Sequence, residues 1–392
     1  MGQRLRHLWF FVSALPVPAA VGFVVVASLL AYKVWEPMGP ESNLGLHVGL
    51  AMAVFGGIDL LLLAALPRLG LSYGPVGLPL FFITLLRLIV ISLAAWVLEW
   101  ARAVWAWPAP ESMLLVGPTT VWLLNGVILA LELYGLYYEP FDVKVTHLPI
   151  EIPNASPGRT IRLVQISDLH VERLTKREER VLEEVKALKP DILVLTGDYL
   201  NGSFLEEKTA RRDARRFLSK LAAPLGVYAV TARYGDTPEA VREMFGGLEI
   251  RVLRDEVCGL EVSGQNLLLI GISCLGRERD SRAFSQVVRD MPDDPYSILL
   301  YHTTDLAGLA SEAGVDLYLT GHTHGGQIRL PFVGALYTNI RSWKKYERGV
   351  YRLRDTLMYV SRGLGMEGRG GPRARFLCPP EIVAVDLIFG QP

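Results

Sequence analysis

Ile161-Arg162-Leu163-Val164-Gln165-Ile166-Ser167-Asp168-Leu169-His170 decides the reading of this chain. Its first six residues have the aliphatic, β-branched character of a buried strand, and the next four set a carboxylate and an imidazole at the strand end. Three more apolar runs finish the same way. Ile192 to Leu195 leads into Gly197-Asp198, Ile298 to Tyr301 into His302, and Leu317 to Thr320 into Gly321-His322-Thr323-His324-Gly325-Gly326. Open α/β sheets hold ligands just beyond the carboxyl ends of their strands, so these four ends define one expected site. The chain has seven histidines, and all four beyond residue 150 lie in these motifs. Singly, each has an ordinary structural reading, an Asp after a strand being often a helix cap and a lone His a core or surface residue. Jointly, in this order, they point to metal binding.

Two divalent cations held close together need a carboxylate between them to offset their repulsion, and neutral donors to complete each shell. Mixed carboxylate and imidazole donors suit Mn, Fe or Zn better than Ca. Asp168-x-His170 is expected to carry both donors on one extended strand end, with side chains at i and i+2 on the same side, and His322-x-His324 to do likewise. The glycines beside them let backbone approach metal and substrate without a Cβ in the way.

Outward from this stretch, strands alternate with charged, helix-length segments. A strand is expected near Val143 to Ile152, then Ile161 to Ile166, a helix at Lys176 to Leu188, a strand at Ile192 to Leu195, a helix at Glu206 to Leu221, and a strand at Val227 to Val230. This β-α-β-α-β order implies a largely buried parallel sheet. Beyond residue 250 the runs read mostly as strands: Leu267 to Ile272, Ile298 to Tyr301, Leu317 to Thr320, Gly349 to Leu353, Leu357 to Ser361 and Ile382 to Leu387. A mixed α/β domain, a β-sandwich flanked by helices, accommodates both parts.

The 392-residue chain is too long for one ordinary domain, and its charge is unevenly spread. Residues 1–139 hold 13 of the 80 Asp, Glu, Lys and Arg side chains. Four apolar stretches there, about 8–34, 44–66, 78–98 and 113–138, reach the roughly 20 residues a membrane-crossing helix needs. A four-helix transmembrane domain (1–139) followed by a globular domain (140–392) is the expected organisation. A cleaved signal peptide fits poorly, because three more spans follow a first one that is too long for it. The 40 basic and 40 acidic residues cancel, which removes any net-charge case for nucleic-acid binding. Partner expectations are therefore a lipid bilayer and no nucleic acid; nothing in the sequence specifies an oligomeric state.

Arg4 and Arg6 favour a cytoplasmic start, and an even number of spans returns the chain to the same side. The expectation is an integral protein of the cytoplasmic membrane with its globular domain in the cytoplasm. Cys258, Cys274 and Cys378, widely spaced and without a CxxC pair, read as reduced thiols, in keeping with that side. Asp59 and Arg87 fall near the middle of the second and third spans, with Asn125 and Glu132 on the fourth. They read either as an ion pair that locks helices or as an intramembrane site for a lipid headgroup or ion. So few polar positions disfavour a transporter.

Residues 143–388 resemble the calcineurin-like metallophosphoesterases, especially their membrane-associated bacterial branch. The resemblance rests on Asp168-Leu169-His170, Gly197-Asp198, His302, Gly321-His322-Thr323-His324-Gly325-Gly326-Gln327, and the late Ser361-Arg362-Gly363-Leu364-Gly365 and Pro379-Pro380-Glu381-Ile382. It implies that Asp168, His170 and His324 hold one metal, His302 and His322 a second, and that Asp198 bridges the two. It implies hydrolysis of a phosphomonoester, phosphodiester or pyrophosphate bond by a metal-activated hydroxide, on a phosphorylated small molecule that the bilayer context makes a candidate for being lipid-linked.

The family places Gly-Asn-His-Asp after the third core strand, whereas this chain has Ala232-Arg233-Tyr234-Gly235-Asp236. Arg233 stands at the Asn ligand position and Tyr234 at the position of the His that assists the leaving group. A guanidinium is permanently protonated and offers no lone pair, so the second site is expected to be weakened. Arg233 has a donor fork for a phosphate instead, and Tyr234 a hydroxyl. The competing expectation is a catalytically impaired, membrane-anchored sensor of metal or of a phosphate ligand. Asp236 is a lesser candidate for replacement ligand.

Overall fold

The computed structural model describes residues 17–38, 43–65, 76–105, 117–152, 160–232, 236–262, 264–289, 291–292, 295–338, 340, 343–367 and 373–390. The chain divides into two compact units, one running to Tyr137 and taking in Arg373, the other comprising Tyr138–Glu367 and Ala374–Pro392.

In the first unit, four helices among the described residues are long and apolar enough to cross a membrane: Val17–Trp35, Leu44–Ala65, Gly77–Trp105, and Pro118–Leu133 with its π-helical extension Tyr134–Tyr138. Two differences from the sequence reading have local causes, apart from the stretches that lie outside the described residues. Residues 8–16 and 111–116 lie outside the described residues, so the early parts of the first and last expected spans do too. The fourth helix starts at Pro118, whose fixed φ and missing N–H suit the first helical position. The third runs on to Trp105 because residues 98–105 contain neither glycine nor proline to stop it. Arg87 is fully buried in this unit. Its Nε and Nη2 donate to the two Asp59 oxygens at 2.9 and 2.7 Å, Nη2 also reaches Glu132 Oε2 at 2.8 Å, and Nη1 donates to the Asn125 carbonyl at 3.0 Å. The ion pair between helices is formed, with both additional polar residues drawn in.

The second unit is built on two six-stranded sheets. One has the order β1 (Lys144–Ile152), β14 (Glu381–Phe389), β2 (Ile161–Ile166), β3 (Ile192–Leu195), β4 (Val227–Ala229), β5 (Ile250–Val252). The other runs β12 (Gly349–Leu353), β13 (Thr356–Val360), β9 (Leu317–Thr320), β8 (Tyr296–Leu300), β7 (Gln265–Gly271), β6 (Glu256–Val262), with a small hairpin of β10 (Arg329–Leu330) and β11 (Gly334–Ala335) apart. The strands β2 to β5 are mutually parallel, as are β7, β8, β9 and β13.

Strand alternation explains the layering. Leu163, Val194, Leu269, Ile298, Leu319 and Val385 belong to the apolar core between the sheets. Their sequence neighbours Val164, Leu193 and Leu195 face outward, against the helices Lys176–Leu188, Lys208–Leu218 and Pro238–Phe245. On the other sheet Ile270, Leu299 and Tyr318 do the same against Phe284 of the helix Arg277–Arg289 and Ala307 and Ala310 of Ala307–Glu312. The helix Lys176–Leu188 opens with a capping box, Glu178 accepting from Thr175 N–H at 2.8 Å while Thr175 Oγ1 accepts from Arg177 N–H at 3.2 Å.

The α/β sandwich flanked by helices is therefore present. Beyond residue 250, however, the expectation of mostly strands missed the helix Arg277–Arg289. Only Phe284 and Asp280 are buried among its side chains, so no apolar run marks it in the sequence.

Candidate metal centre

The carboxyl ends of β2, β3, β8 and β9 meet along one edge of the sandwich. Gln165 helps tie them together across the sheets, its amide donating to Thr196 Oγ1 at 3.0 Å and to the Thr320 carbonyl at 3.1 Å. All six candidate donors converge there. Asp168, His170, Asp198 and His324 offer ligand atoms that lie within 4.8 Å of one another, and so do Asp198, His302 and His322. Asp198 is common to both groups. Its Oδ2 stands 3.5 Å from His170 Nε2 and 3.3 Å from His302 Nε2. His170 Nε2 and His324 Nε2 are 3.0 Å apart, as are His302 Nε2 and His322 Nδ1.

The backbone corrects one expectation. Asp168-x-His170 and His322-x-His324 are not extended: the four residues have φ of 52°, 43°, 68° and 52°, and Asp198 has 54°. Left-handed backbone costs an L-residue about 1–2 kcal/mol, least for residues with short polar side chains, and persists where the surroundings over-determine it. Here hydrogen bonding continues between the two loops past the strand ends, with Asp168 N–H to Gly197 O at 3.1 Å, His170 N–H to Asp198 O at 3.0 Å and Val171 N–H to Tyr199 O at 2.9 Å. The donors thus converge because their chain turns inward, and not because a strand presents them on one face.

The late Ser361 to Gly365 motif wraps this turn. Leu364 N–H donates to Ser167 O at 3.0 Å and Gly365 N–H to Asp168 O at 2.6 Å. A Cβ on Gly363 would lie 2.6 Å from that of Asp168, and one on Gly365 2.5 Å from that of His170. The loop is pinned in turn by fully buried Arg375, which donates to the carbonyls of Arg362, Gly363, Gly365 and Cys378 at distances between 2.6 and 3.2 Å. Glu381 anchors the same loop, accepting from Arg362 N–H at 3.0 Å and from its Nη2 at 2.8 Å. On the opposite side a Cβ at Gly321 would come within 2.1 Å of Ser167 Oγ and 2.3 Å of Asp168 Oδ2. Gly321→Ala is expected to destabilise the domain by about 1–3 kcal/mol, the usual consequence of overpacking. Thermal unfolding measures this, and an unchanged midpoint would contradict the close packing.

The donor set fits a divalent cation. Burial opposes a charged His302, but Asp198 more than offsets this and raises its pKa to about 10. Asp198 itself is held below the ordinary carboxylate range, where His302 and His170 outweigh the effect of burial. Burial and adjacent His170 keep His324 neutral, well below the usual imidazole value. His302 Nδ1 faces the Thr196 carbonyl at 2.8 Å, which fixes that nitrogen as the N–H and leaves Nε2 to the pocket once the ring is neutral. Two imidazole nitrogens 3.0 Å apart beside a carboxylate are arranged for a cation that accepts all their lone pairs.

Sequence reasoning missed Glu367. Its Oε2 lies 3.1 Å from His170 Nδ1, and Gln327 fixes its backbone on both sides, donating to Glu367 O at 2.6 Å and accepting from its N–H at 2.8 Å. His170 draws the Glu367 carboxyl down to about 2 against the effect of burial. No local signal marks this residue, since it acts from a loop 197 positions away. Arg233, Tyr234 and Gly235 lie outside the described residues. Asp236 belongs to neither donor group. Its Oδ2 accepts from Ala232 N–H at 2.6 Å, and burial followed by the charge of Asp198 pushes its pKa up to about 7.

The comparisons with known proteins agree with this architecture. Residues 161–326 match the calcineurin-like phosphoesterase family. A metallophosphoesterase of Aquifex aeolicus is 33% identical over 285 residues, covering 68% of this chain and 97% of the relative. This chain belongs to the calcineurin-like phosphoesterases. Among other members of that family, the metallophosphoesterase YkuE of Bacillus subtilis is 30% identical over 270 residues, 65% of this chain and 88% of the relative. The UDP-2,3-diacylglucosamine pyrophosphatase LpxG of Chlamydia muridarum is 25% identical over 316 residues, 66% of this chain and 93% of the relative. The six converging donors of this calcineurin-like domain form a candidate divalent-metal site.

Proposed function

We propose that this protein is an integral-membrane, metal-dependent phosphoesterase acting on a lipid-linked phosphorylated substrate. The observation that carries the reading is the position of Asp198, whose single oxygen Oδ2 lies within 3.5 Å of an imidazole from each donor group. In this reading Asp168, His170 and His324 hold one cation, His302 and His322 the other, and Asp198 both. When bound, such a pair supplies a nucleophile from water at neutral pH and offsets charge on the phosphoryl oxygens. The chain's own part is to hold the donors at fixed separations, to keep His324 neutral, and to fix the tautomer of His302. The four apolar helices support the membrane setting, and similarity to LpxG, named for a diacylated nucleotide-sugar substrate, supports a pyrophosphate or phosphoester bond in a lipid-linked molecule. Three buried free thiols agree with a cytoplasmic catalytic domain.

The test uses the purified full chain in detergent, with an aryl phosphodiester and a nucleoside-diphosphate-linked diacyl sugar as substrates. Turnover is expected to vanish on chelation and return with Mn or Zn. Metal bound without turnover on either substrate would replace the enzyme with the sensor reading, in which Arg233 and Tyr234 mark lost catalysis.

Glu367→Gln is expected to weaken the cation held by His170 about 10–100-fold, the usual effect of removing a carboxylate that orients a ligating imidazole. The backbone clamp by Gln327 is untouched, so the fold should persist. Competition against a chelator of known affinity measures the change, and an unaltered affinity would remove Glu367 from the site.

A further inference from the structure

The hairpin β10–β11 leaves the His322–His324 turn directly, and its tip is apolar. Leu330-Pro331-Phe332-Val333 are all exposed, Phe332 at 110% of its reference accessibility, and Leu336 and Tyr337 beyond the second strand are exposed as well. Isolated exposed apolar residues are ordinary on a protein surface, but a contiguous patch of this kind marks an interaction site. Its surroundings are basic. Among the described residues of 328–348 there are four Arg or Lys, Arg329, Lys344, Lys345 and Arg348, against one carboxylate, Glu347. Lys344 donates to the Val333 carbonyl at 2.7 Å, and Arg329 and Arg348 line the groove at the hairpin's base together with Leu330, Phe332 and Leu377. The base of the hairpin is tied to the turn that follows His324, since Arg329 donates to Gly325 O at 2.8 Å and pairs with Glu347 at 2.8 Å.

An apolar tip above a basic collar is the chemistry that enters a bilayer bearing anionic headgroups. We propose that the hairpin Arg329–Ala335 is a bilayer-docking element, its tip inserting among acyl chains while Lys344, Lys345 and Arg348 meet lipid phosphates. The observation that selects lipid over a protein partner is charge complementarity, joined to four apolar helices on the same chain that keep a bilayer at hand. Because the hairpin springs from the turn that carries His322 and His324, docking brings the rim of the donor pocket to headgroup level. The inference rests on the membrane reading above and adds the surface by which the catalytic domain meets its substrate's solvent.

The test places an environment-sensitive fluorophore on Phe332→Cys in the full chain, reconstituted in phosphatidylcholine–phosphatidylglycerol liposomes. The three native cysteines are buried, which favours labelling at the introduced one. Glu183→Cys, on an exposed helical position, is the reference. Quenching by nitroxide-labelled acyl chains is expected to be several-fold stronger at 332 than at 183, and to fall in a Lys344→Glu/Lys345→Glu background. Equal quenching at both positions overturns the proposal, as does shielding of 332 from a water-soluble quencher that persists in amphipol without lipid, the sign of a protein partner such as a second copy. Protein that fails to float with liposomes overturns the membrane reading and this inference with it; protein that floats with residue 332 in water overturns this inference alone.

Discussion

Asp198→Ala is expected to lower turnover by about three orders of magnitude or more and to remove most bound metal. Losing a single well-placed electrostatic stabiliser in an active site already costs about 10²–10³ in rate, and Asp198 serves both donor groups. The charge, more than the shape, is what matters. Asp198→Asn keeps an acceptor oxygen but leaves His302 and His170 without the carboxylate that draws their nitrogens together, and it should be almost as damaging. Metal content by elemental analysis, turnover of an aryl phosphodiester and the thermal midpoint should be read on the same preparation. Turnover within tenfold of the parent would exclude Asp198 as the shared ligand. Loss of activity with full metal content would leave the carboxylate a catalytic role but not a bridging one.

Arg87→Leu is expected to destabilise the helical unit by about 3–5 kcal/mol, the range found when one partner of a buried ion pair is deleted. The arginine fork satisfies both oxygens of Asp59 and one of Glu132, so its removal strands two carboxylates among four apolar helices. Neutralising them should restore much of the loss, because Asp59→Asn/Glu132→Gln removes the charges that arginine offsets. Thermal inactivation of nanodisc-embedded protein measures both steps. If the cluster only locks helices, turnover per folded molecule stays unchanged in the rescued triple variant. Stability regained with activity lost would instead give the cluster a part in binding a headgroup or ion.

Much of the donor set was legible because strand-end motifs are local. Ser167-Asp168-Leu169-His170 and Gly321-His322-Thr323-His324 each follow a short apolar run that reads as a buried strand, and parallel strands bring their carboxyl ends to one edge. The four apolar helices were equally readable, since length and composition suffice for them. The helix Arg277–Arg289 was missed because its amphipathic face rests largely on one aromatic anchor, Phe284.

The sequence by itself determined which six side chains make up the candidate donor set and which half of the chain is apolar enough for a membrane. The tertiary structure alone decided how the donors are held. Left-handed turns at five of the six positions, Glu367 behind His170, and Arg375 fastening the loop that cradles Asp168 all depend on residues far apart in the chain. A motif records what a residue is, whereas backbone strain and the hydrogen bonds that sustain it exist only once distant segments have packed together.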